Sequence, residues 1–315
     1  MNRLTKLVGA SPALESVLRN ARMAAVTNVT VLILGETGTG KELLTEAIQK
    51  NSSRAQQPFI RINCAALQES LAESELFGHT KGAFTGALSD SAGKLQAADG
   101  GTVFLDEIDS LDMSLQGKLL RFLESGECQA VGKTHPDKVD VRIIAATNTN
   151  LSEKVSQGLF RKDLFYRLNV VPLELPALRE RGSDINSLID YFVGITAKQH
   201  GLAKPMLTKA AYNRLKSYRW PGNVRELKNV CERLCILRQG QTIDIGNLPV
   251  EITSTPSSTT HGFSLPEKGI DLEILEKDLI CQALNRTNGN RSKSARLLGI
   301  SRDTMLYRIN KHNLA

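Results

Sequence analysis

The chain has 315 residues, 41% hydrophobic and 23% charged, with 40 basic against 33 acidic side chains. That balance excludes a collagen, a coiled-coil rod and a mostly disordered chain, and the length allows about two domains with cores that need no staples. No apolar run approaches the ~18 residues of a membrane span, and no apolar stretch follows Met1-Asn2-Arg3-Leu4-Thr5-Lys6, so neither a membrane helix nor a signal peptide is expected.

Val29–Leu34 reads as the first buried strand, and Gly35-Glu36-Thr37-Gly38-Thr39-Gly40-Lys41-Glu42 follows it directly. The segment fits G-x-x-x-x-G-K between a strand and the helical pattern Lys41–Lys50. Glycines there let backbone N–H groups turn in around phosphate oxygens, the helix N-terminus adds positive potential, and Lys41 reaches the outer phosphates. Glu42 stands where a Ser or Thr is usual, which leaves a magnesium contact to Thr39 or to water.

Phe59–Asn63, Thr102–Leu105 and Val141–Ala146 read as further buried strands, with helical patterns such as Met113–Leu123 between them. Alternation of this kind predicts a parallel α/β sheet, whose ligands lie at the carboxyl ends of the strands. Asp106 and Glu107 close the strand Thr102–Leu105. Asp106 is placed to hold Mg²⁺, and Glu107 to polarise a water. Asn148 closes the next strand, and two readings stand open for it: a strand cap, or a group that senses the γ-phosphate. From Asp184 to Arg238 only helical patterns remain, which predicts an all-helical subdomain.

Residues 251–267, rich in Ser, Thr and Pro, read as a linker. Beyond it, Arg286, Arg291, Lys293, Arg296, Arg302, Arg308 and Lys311 stand against Asp303 alone, so most of the net charge of +7 lies in the tail. Asn290–Gly299 and Ser301–His312 are two helical patterns joined at Gly299-Ile300, with Ser301 a good N-cap: helix–turn–helix spacing. Arg302, Asp303, Thr304, Tyr307, Arg308 and Lys311 are expected to project from the second, recognition helix toward DNA. The apolar face of Leu272–Leu284 suits either pairing of two subunits or packing on its own helix–turn–helix. Cys64, Cys128, Cys231, Cys235 and Cys281 show no zinc-ligand spacing and are expected as buried or partly buried free thiols.

Taken together, Gly35–Glu42, Glu75-Leu76-Phe77-Gly78-His79, Gly82-Ala83-Phe84-Thr85-Gly86-Ala87, Leu105-Asp106-Glu107-Ile108 and Trp220–Leu227 resemble the bacterial enhancer-binding proteins, NtrC-like AAA+ activators of sigma-54 RNA polymerase. In that family a Glu after the P-loop lysine is ordinary. The resemblance implies that Lys41 binds the β- and γ-phosphates, Asp106 serves Mg²⁺ and Glu107 activates water. It also implies that Asn63 is a switch holding Glu107, Thr147 and Asn148 are sensor I, and Arg225 is sensor II. Read from the residues alone, Asn63 is equally a strand-end cap and Arg225 a salt-bridged helix arginine. By resemblance only, Arg161 and Arg167 reach a neighbouring subunit's nucleotide, and Gly82–Ala87 is a loop tip that touches sigma-54. Read as residues, that segment is a flexible stretch with one exposed aromatic, Phe84, or a tight hairpin. The tail resembles a Fis-type DNA-binding domain.

The expected architecture is an α/β P-loop AAA+ domain, a parallel sheet flanked by helices, over 1–180. A helical lid follows at 181–250, a linker at 251–267 and an all-α helix–turn–helix domain at 268–315. The expected function is that of a cytoplasmic ATPase using ATP and Mg²⁺. It would bind enhancer DNA, assemble from dimers into a hexameric ring and remodel the sigma-54 RNA polymerase closed complex, without membrane attachment. The resemblance begins near Leu7, and family members often carry an N-terminal receiver or ligand-sensing domain, so the chain is expected either to be controlled in trans by a regulatory protein or to be a piece of a longer protein. Two rivals are a DNA-binding regulator with a relic P-loop and a clamp-loader or helicase motor. Intact Asp106-Glu107 argues against the first, and the helix–turn–helix with Gly82–Ala87 against the second.

Overall fold

The computed structural model describes residues 7–253, 269–287, 289–312 and 314. The chain divides into two compact units, Met1–Ser254 and Thr255–Ala315.

In the first unit five strands, β1 (Val31–Leu34), β2 (Phe59–Asn63), β3 (Thr102–Asp106), β4 (Arg142–Thr147) and β5 (Val171–Glu174), form one sheet in the order β2-β3-β4-β1-β5. Every pairing is parallel. Successive side chains alternate between two cores, as a strand buried on both faces requires. Leu32, Val103, Leu105, Ile143 and Ala145 face one core, and Val31, Ile33, Phe104, Ile144 and Ala146 the other. The second core is closed by helices α1 (Pro12–Ala25) and α2 (Lys41–Lys50). The first is closed by α3 (Glu69–Phe77), α4 (Met113–Ser125) and α5 (Lys162–Leu168).

Strand β5 is absent from the sequence reading. It is short, carries Pro172 and Glu174, and among the described residues pairs only with β1, and a proline is tolerated at such an edge because no ladder donor is needed there.

The lid is built on α6 (Ile185–His200), α7 (Lys209–Ser217) and α8 (Asn223–Leu237) around the fully buried Trp220, whose Nε1 donates to Leu215 O at 2.9 Å. It is not purely helical: Met206–Leu207 pairs in parallel with Thr242–Ile243. Nor does it end at 250. Val250–Thr253 is a helix whose Ile252 is buried in the lid core, so the first three residues of the expected linker belong to the lid. The rest of 251–267 lies outside the described residues. A strap from the chain start joins lid and sheet. Leu7 packs on the α1–α2 core and Val8 on the lid core, while Asp184 Oδ1 accepts the N–H groups of Ala10 and Ser11 at 2.8 Å each.

The second unit contains α9 (Leu272–Arg286), α10 (Arg291–Leu297) and α11 (Arg302–Lys311), packed on Ile280, Ala295, Met305 and Ile309. Asn290 caps α10 through Lys293 N, Ser301 caps α11 through Thr304 N, and Gly299 makes the turn between them at φ 65°. The five thiols are free, and all but the half-buried Cys281 are buried. Among the described residues no helix is long and apolar enough to cross a membrane.

Candidate active site

The loop Gly35–Gly40 joins β1 to α2 at the carboxyl edge of the sheet, with Gly40 the residue before the helix, at φ 105°. Gly38, at φ 81°, lies so close to the lid that a Cβ there would stand 2.4 Å from Gly222 O. Arg225 N donates to Gly38 O at 3.3 Å. Lys41 Nζ donates to Gly35 O at 2.8 Å and to Glu36 O at 3.3 Å. Burial pushes the Lys41 ammonium below its ordinary pKa, while the charges of Asp106 and Glu107 oppose that shift and Arg225 adds to it. Lys41 therefore sits among the other charged groups that the sequence proposed.

Asp106 ends β3 with its carboxyl pushed up by burial, against the counter-effects of the Glu107 N–H and Lys41. Glu107 follows in the left-handed region, φ 53°, and precedes the one-turn 3₁₀ helix Ile108–Ser110. A glutamate costs about 1–3 kcal/mol in such a conformation, the kind of strain that clusters at functional sites. Asn148 Nδ2 donates to Thr37 Oγ1 at 2.8 Å, joining the end of β4 to the phosphate loop. Asn63 stands opposite Asp106 in the strand register, and its Oδ1 accepts from Ala65 N at 2.9 Å, the strand-end cap of the two readings.

Of the expected magnesium donors, Asp106 fits. A single strand-end carboxylate whose charge is disfavoured by burial suits a cation that takes its other ligands from water and phosphate. Thr39 is buried, and its hydroxyl donates to Glu36 O at 2.8 Å, which leaves the oxygen lone pairs for a cation. Glu42 points away, paired with Arg61 on β2 at 2.8 Å.

Asn223 and Arg179 were missed by the sequence reading. Asn223 is fully buried at φ 51°. It donates to Glu36 Oε2 at 3.0 Å and Thr37 O at 3.1 Å, and accepts from Leu178 N at 2.8 Å. Arg179 grips the same Glu36, and these two partners hold the Glu36 carboxyl down at about 2. The signal for Asn223 lay in Trp220–Leu227, where only Arg225 had received a role.

Arg161 and Arg167 form their hydrogen bonds away from the phosphate loop of their own chain. Arg161 is the residue before α5, paired with Asp163 at 2.7 Å, and Arg167 donates to Leu123 O at 2.7 Å. The segment Gly82–Ala87 caps a hairpin whose arms, Gly78–His79 and Ser91–Ala92, pair antiparallel. Gly82 N donates to Ala87 O at 2.9 Å. Phe84 is not the exposed aromatic expected: it is half-buried, edge-on to His79 with ring centroids 5.0 Å apart. Of the large apolar side chains on this hairpin, Leu88 is the one in solvent, 85% exposed.

On the recognition helix α11, Arg302, Asp303 and Tyr307 are exposed. The Thr304 hydroxyl shares a hydrogen bond of 2.7 Å with Ser301. Arg308 and Lys311 do not project freely. Arg308 pairs with Glu276 at 2.7 Å and Lys311 with Glu273 at 2.9 Å, both on α9, and His312 Nε2 lies 3.0 Å from Glu276. The reason is helical spacing: Arg308 lies three residues after the buried Met305 and so shares its inward flank.

A phosphate loop, a strand-end Asp-Glu pair and a helical lid carrying an arginine beside the loop define an AAA+ ATPase. The sigma-54 interaction domain model matches residues 7–174, the AAA+ ATPase lid domain 179–264 and the bacterial regulatory protein, Fis family 271–312. The nitrogen fixation protein AnfA of Azotobacter vinelandii is 46% identical over 99% of this chain and 58% of its own length. The transcriptional regulatory protein ZraR of Klebsiella oxytoca is 46% identical over 97% of this chain and 68% of its own. NtrX from Brucella abortus, solved in complex with ATP, matches at TM-score 0.72 and 36% identity over 97% of this chain and 69% of that one. The chain belongs to the NtrC-like family of sigma-54-dependent transcription activators, with a Fis-type helix–turn–helix for DNA. It spans little more than half the length of AnfA and about two thirds of ZraR.

Proposed function

We propose that the chain binds ATP with Mg²⁺ between the α/β part and the lid, and hydrolyses it at sites shared between subunits of a hexameric ring. The ring assembles from dimers held on upstream enhancer DNA and remodels the sigma-54 RNA polymerase closed complex so that the promoter opens, in the cytoplasm. The division of labour follows 1–180 for the α/β part, a lid from 181, a linker ending at 267 and a DNA-binding domain at 268–315. The carrying observation is convergence: Lys41 feels the charges of Asp106, Glu107 and Arg225 together, at the edge where Asn148 touches Thr37.

In this reading Lys41 and the loop amides hold the phosphates, and Arg225 brings the lid to them. Bound Mg²⁺, held by Asp106, would neutralise phosphate charge. Glu107 accepts a proton from the water as its oxygen bonds to the γ-phosphorus and the bond to the β-phosphate oxygen breaks, releasing ADP. Arg161 and Arg167 serve the neighbouring subunit's nucleotide, Asn63 senses its state, and Gly82–Ala87 meets sigma-54. An ATPase assay, with transcription in vitro by polymerase carrying sigma-54 or the housekeeping sigma factor, tests it. Activation of the sigma-54 enzyme alone, dependent on ATP hydrolysis, is the expected result.

A further inference from the structure

Asp109 follows Glu107 by two residues, in the 3₁₀ turn Ile108–Ser110. Its side chain is 6% exposed. One carboxylate oxygen, Oδ1, accepts the Thr147 hydroxyl at 2.6 Å, and the other, Oδ2, accepts Lys154 Nζ at 2.7 Å. Lys154 Nζ also donates to the Asp109 carbonyl at 3.1 Å. Thr147 Oγ1 accepts in turn from Thr149 N at 3.1 Å, so the hydroxyl spans the residue between them, Asn148. Burial alone would raise the Asp109 carboxyl, but the hydrogen bonds of Lys154, Thr147 and Thr149 outweigh it and hold the pKa below its ordinary value. The group is therefore a carboxylate at neutral pH.

Two segments meet at this carboxylate. One is the turn that keeps Glu107 in its left-handed conformation, closed by Ser110 N donating to Glu107 O at 2.9 Å. The other is the end of β4, which presents Asn148 to Thr37. We propose that Asp109 and Lys154 are a positioning pair for hydrolysis, fixing the Glu107 turn against the Asn148 segment so that the water-activating carboxylate and the phosphate loop keep one mutual geometry. This rests on the reading of Glu107 as the group that activates water. Neither member of the pair needs to touch nucleotide. A charged clamp between the two segments, buried at Asp109 and half-buried at Lys154, transmits a small displacement of one to the other, and misplacement of about 1 Å is enough to cost catalysis heavily.

The test uses the full chain. Asp109→Asn keeps an oxygen for Thr147 but sets an amide against the Lys154 ammonium. Lys154→Met removes the charge from the other side, and Lys154→Arg restores it. Asp109→Asn and Lys154→Met are each expected to lower kcat for ATP about 10–100-fold. KM, and the affinity for a fluorescent ATP analogue, stay unchanged. Lys154→Arg recovers most of the rate, and the double variant is no slower than the worse single one. Loss of affinity in step with kcat, an unchanged kcat, no recovery by Lys154→Arg, or strictly additive losses would each overturn the proposal. If Asp109→Asn does not fold, the Lys154→Met and Lys154→Arg pair decides. Glu107→Gln runs beside them. If it hydrolyses ATP normally, the underlying reading of Glu107 falls and takes this inference with it. If Glu107→Gln is inactive and the Asp109 and Lys154 variants are normal, only the positioning role is lost.

Discussion

The carboxylate of Glu36 in the phosphate loop and the guanidinium of Arg179 at the entrance to the lid form a two-pronged pair, with N–O distances of 2.6 and 2.9 Å. Asn223 shares the same carboxylate from within the lid. The contact therefore ties the loop that meets phosphate to the subdomain that closes over it.

The sign of its pH dependence follows from the depressed carboxyl. Glu36 is held at about 2 against an ordinary 4.5, so its contribution to stability is complete above 4.5 and is lost as pH falls toward 2. Arg179→Ala is expected to return the carboxyl toward its ordinary value, read by NMR titration of labelled glutamate. Both partners are close to half-exposed, so the stability loss should not exceed about 1 kcal/mol. Nucleotide affinity should weaken no more than about fivefold, in proportion.

Lys41→Ala and Glu107→Gln are both expected to abolish hydrolysis and to fail differently. Lys41 faces the loop carbonyls of the phosphate site, while Glu107 follows the strand end and handles only water in this reading. Equilibrium titration with ATP should show weakened binding for Lys41→Ala, by about 1.5–3 kcal/mol for a charged hydrogen bond. Glu107→Gln should bind normally and accumulate ATP-bound assemblies. Equal affinity losses in the two variants would contradict the assignment of roles.

Thr85→Ala should separate hydrolysis from activation. Thr85 is exposed on the hairpin tip, within the stretch that Gly82 and Gly86 leave open, and belongs to neither nucleotide motif. A lost hydrogen bond to a partner costs about 0.5–1.5 kcal/mol, enough to disturb a transient contact. Phosphate release should stay near the wild-type rate while transcript yield from a supercoiled sigma-54 promoter collapses. Leu88→Ser, which removes an apolar side chain already in solvent, should weaken sigma-54 association without lowering thermal stability. Normal activation by Thr85→Ala would remove the hairpin from the coupling pathway.

The ion pairs of the second unit divide the side chains of α11 into those held by α9 and those left exposed. Arg302→Ala should cost about 1–3 kcal/mol of DNA affinity and relax base preference if the side chain reads a base. Arg308→Ala should act chiefly on the domain's melting temperature, because its guanidinium is engaged with Glu276. Removing residues 256–315 should abolish specific DNA binding and leave ATP hydrolysis. Gel shifts at two salt concentrations, with thermal melts of the same proteins, separate these outcomes. A change of base preference in Arg308→Ala would show that the Glu276 pair opens on DNA.

Sequence periodicity and motif spacing made the sheet readable wherever a strand carried an apolar run or alternation: four of the five strands were located from it, β2 among them despite the exposed Arg61 and Asn63. The fifth, four residues long with Pro172 and Glu174 exposed, carried no such signal. The placement of Lys41, Asp106, Glu107 and Asn148 at one edge was legible because strand-to-loop transitions set them there. Asn223 and Arg179 were not, since their roles depend on where the lid meets the loop, more than 140 positions along the chain from Glu36. The pairing of Arg308 with Glu276 was hidden for the same reason, although its place beside Met305 could have been counted out. Glycine spacing gave the phosphate loop but could not reveal that Gly38 is also the point where the lid backbone leaves no room for a side chain.

The strap at residues 7–11 staples the lid to the sheet. Its backbone is bolted to Asp184 through two N–H groups and to Arg181 through the Val8 carbonyl, at 2.8 Å in each case, while Leu7 beside it leans on the sheet side near Gly40. Five consecutive residues thus serve as a staple: Val8, Ala10 and Ser11 hold the base of the lid, and Leu7 holds the sheet side next to Gly40, the residue before α2. The crossing from sheet to lid is therefore made twice, once by the chain between β5 and α6 and once by this strap.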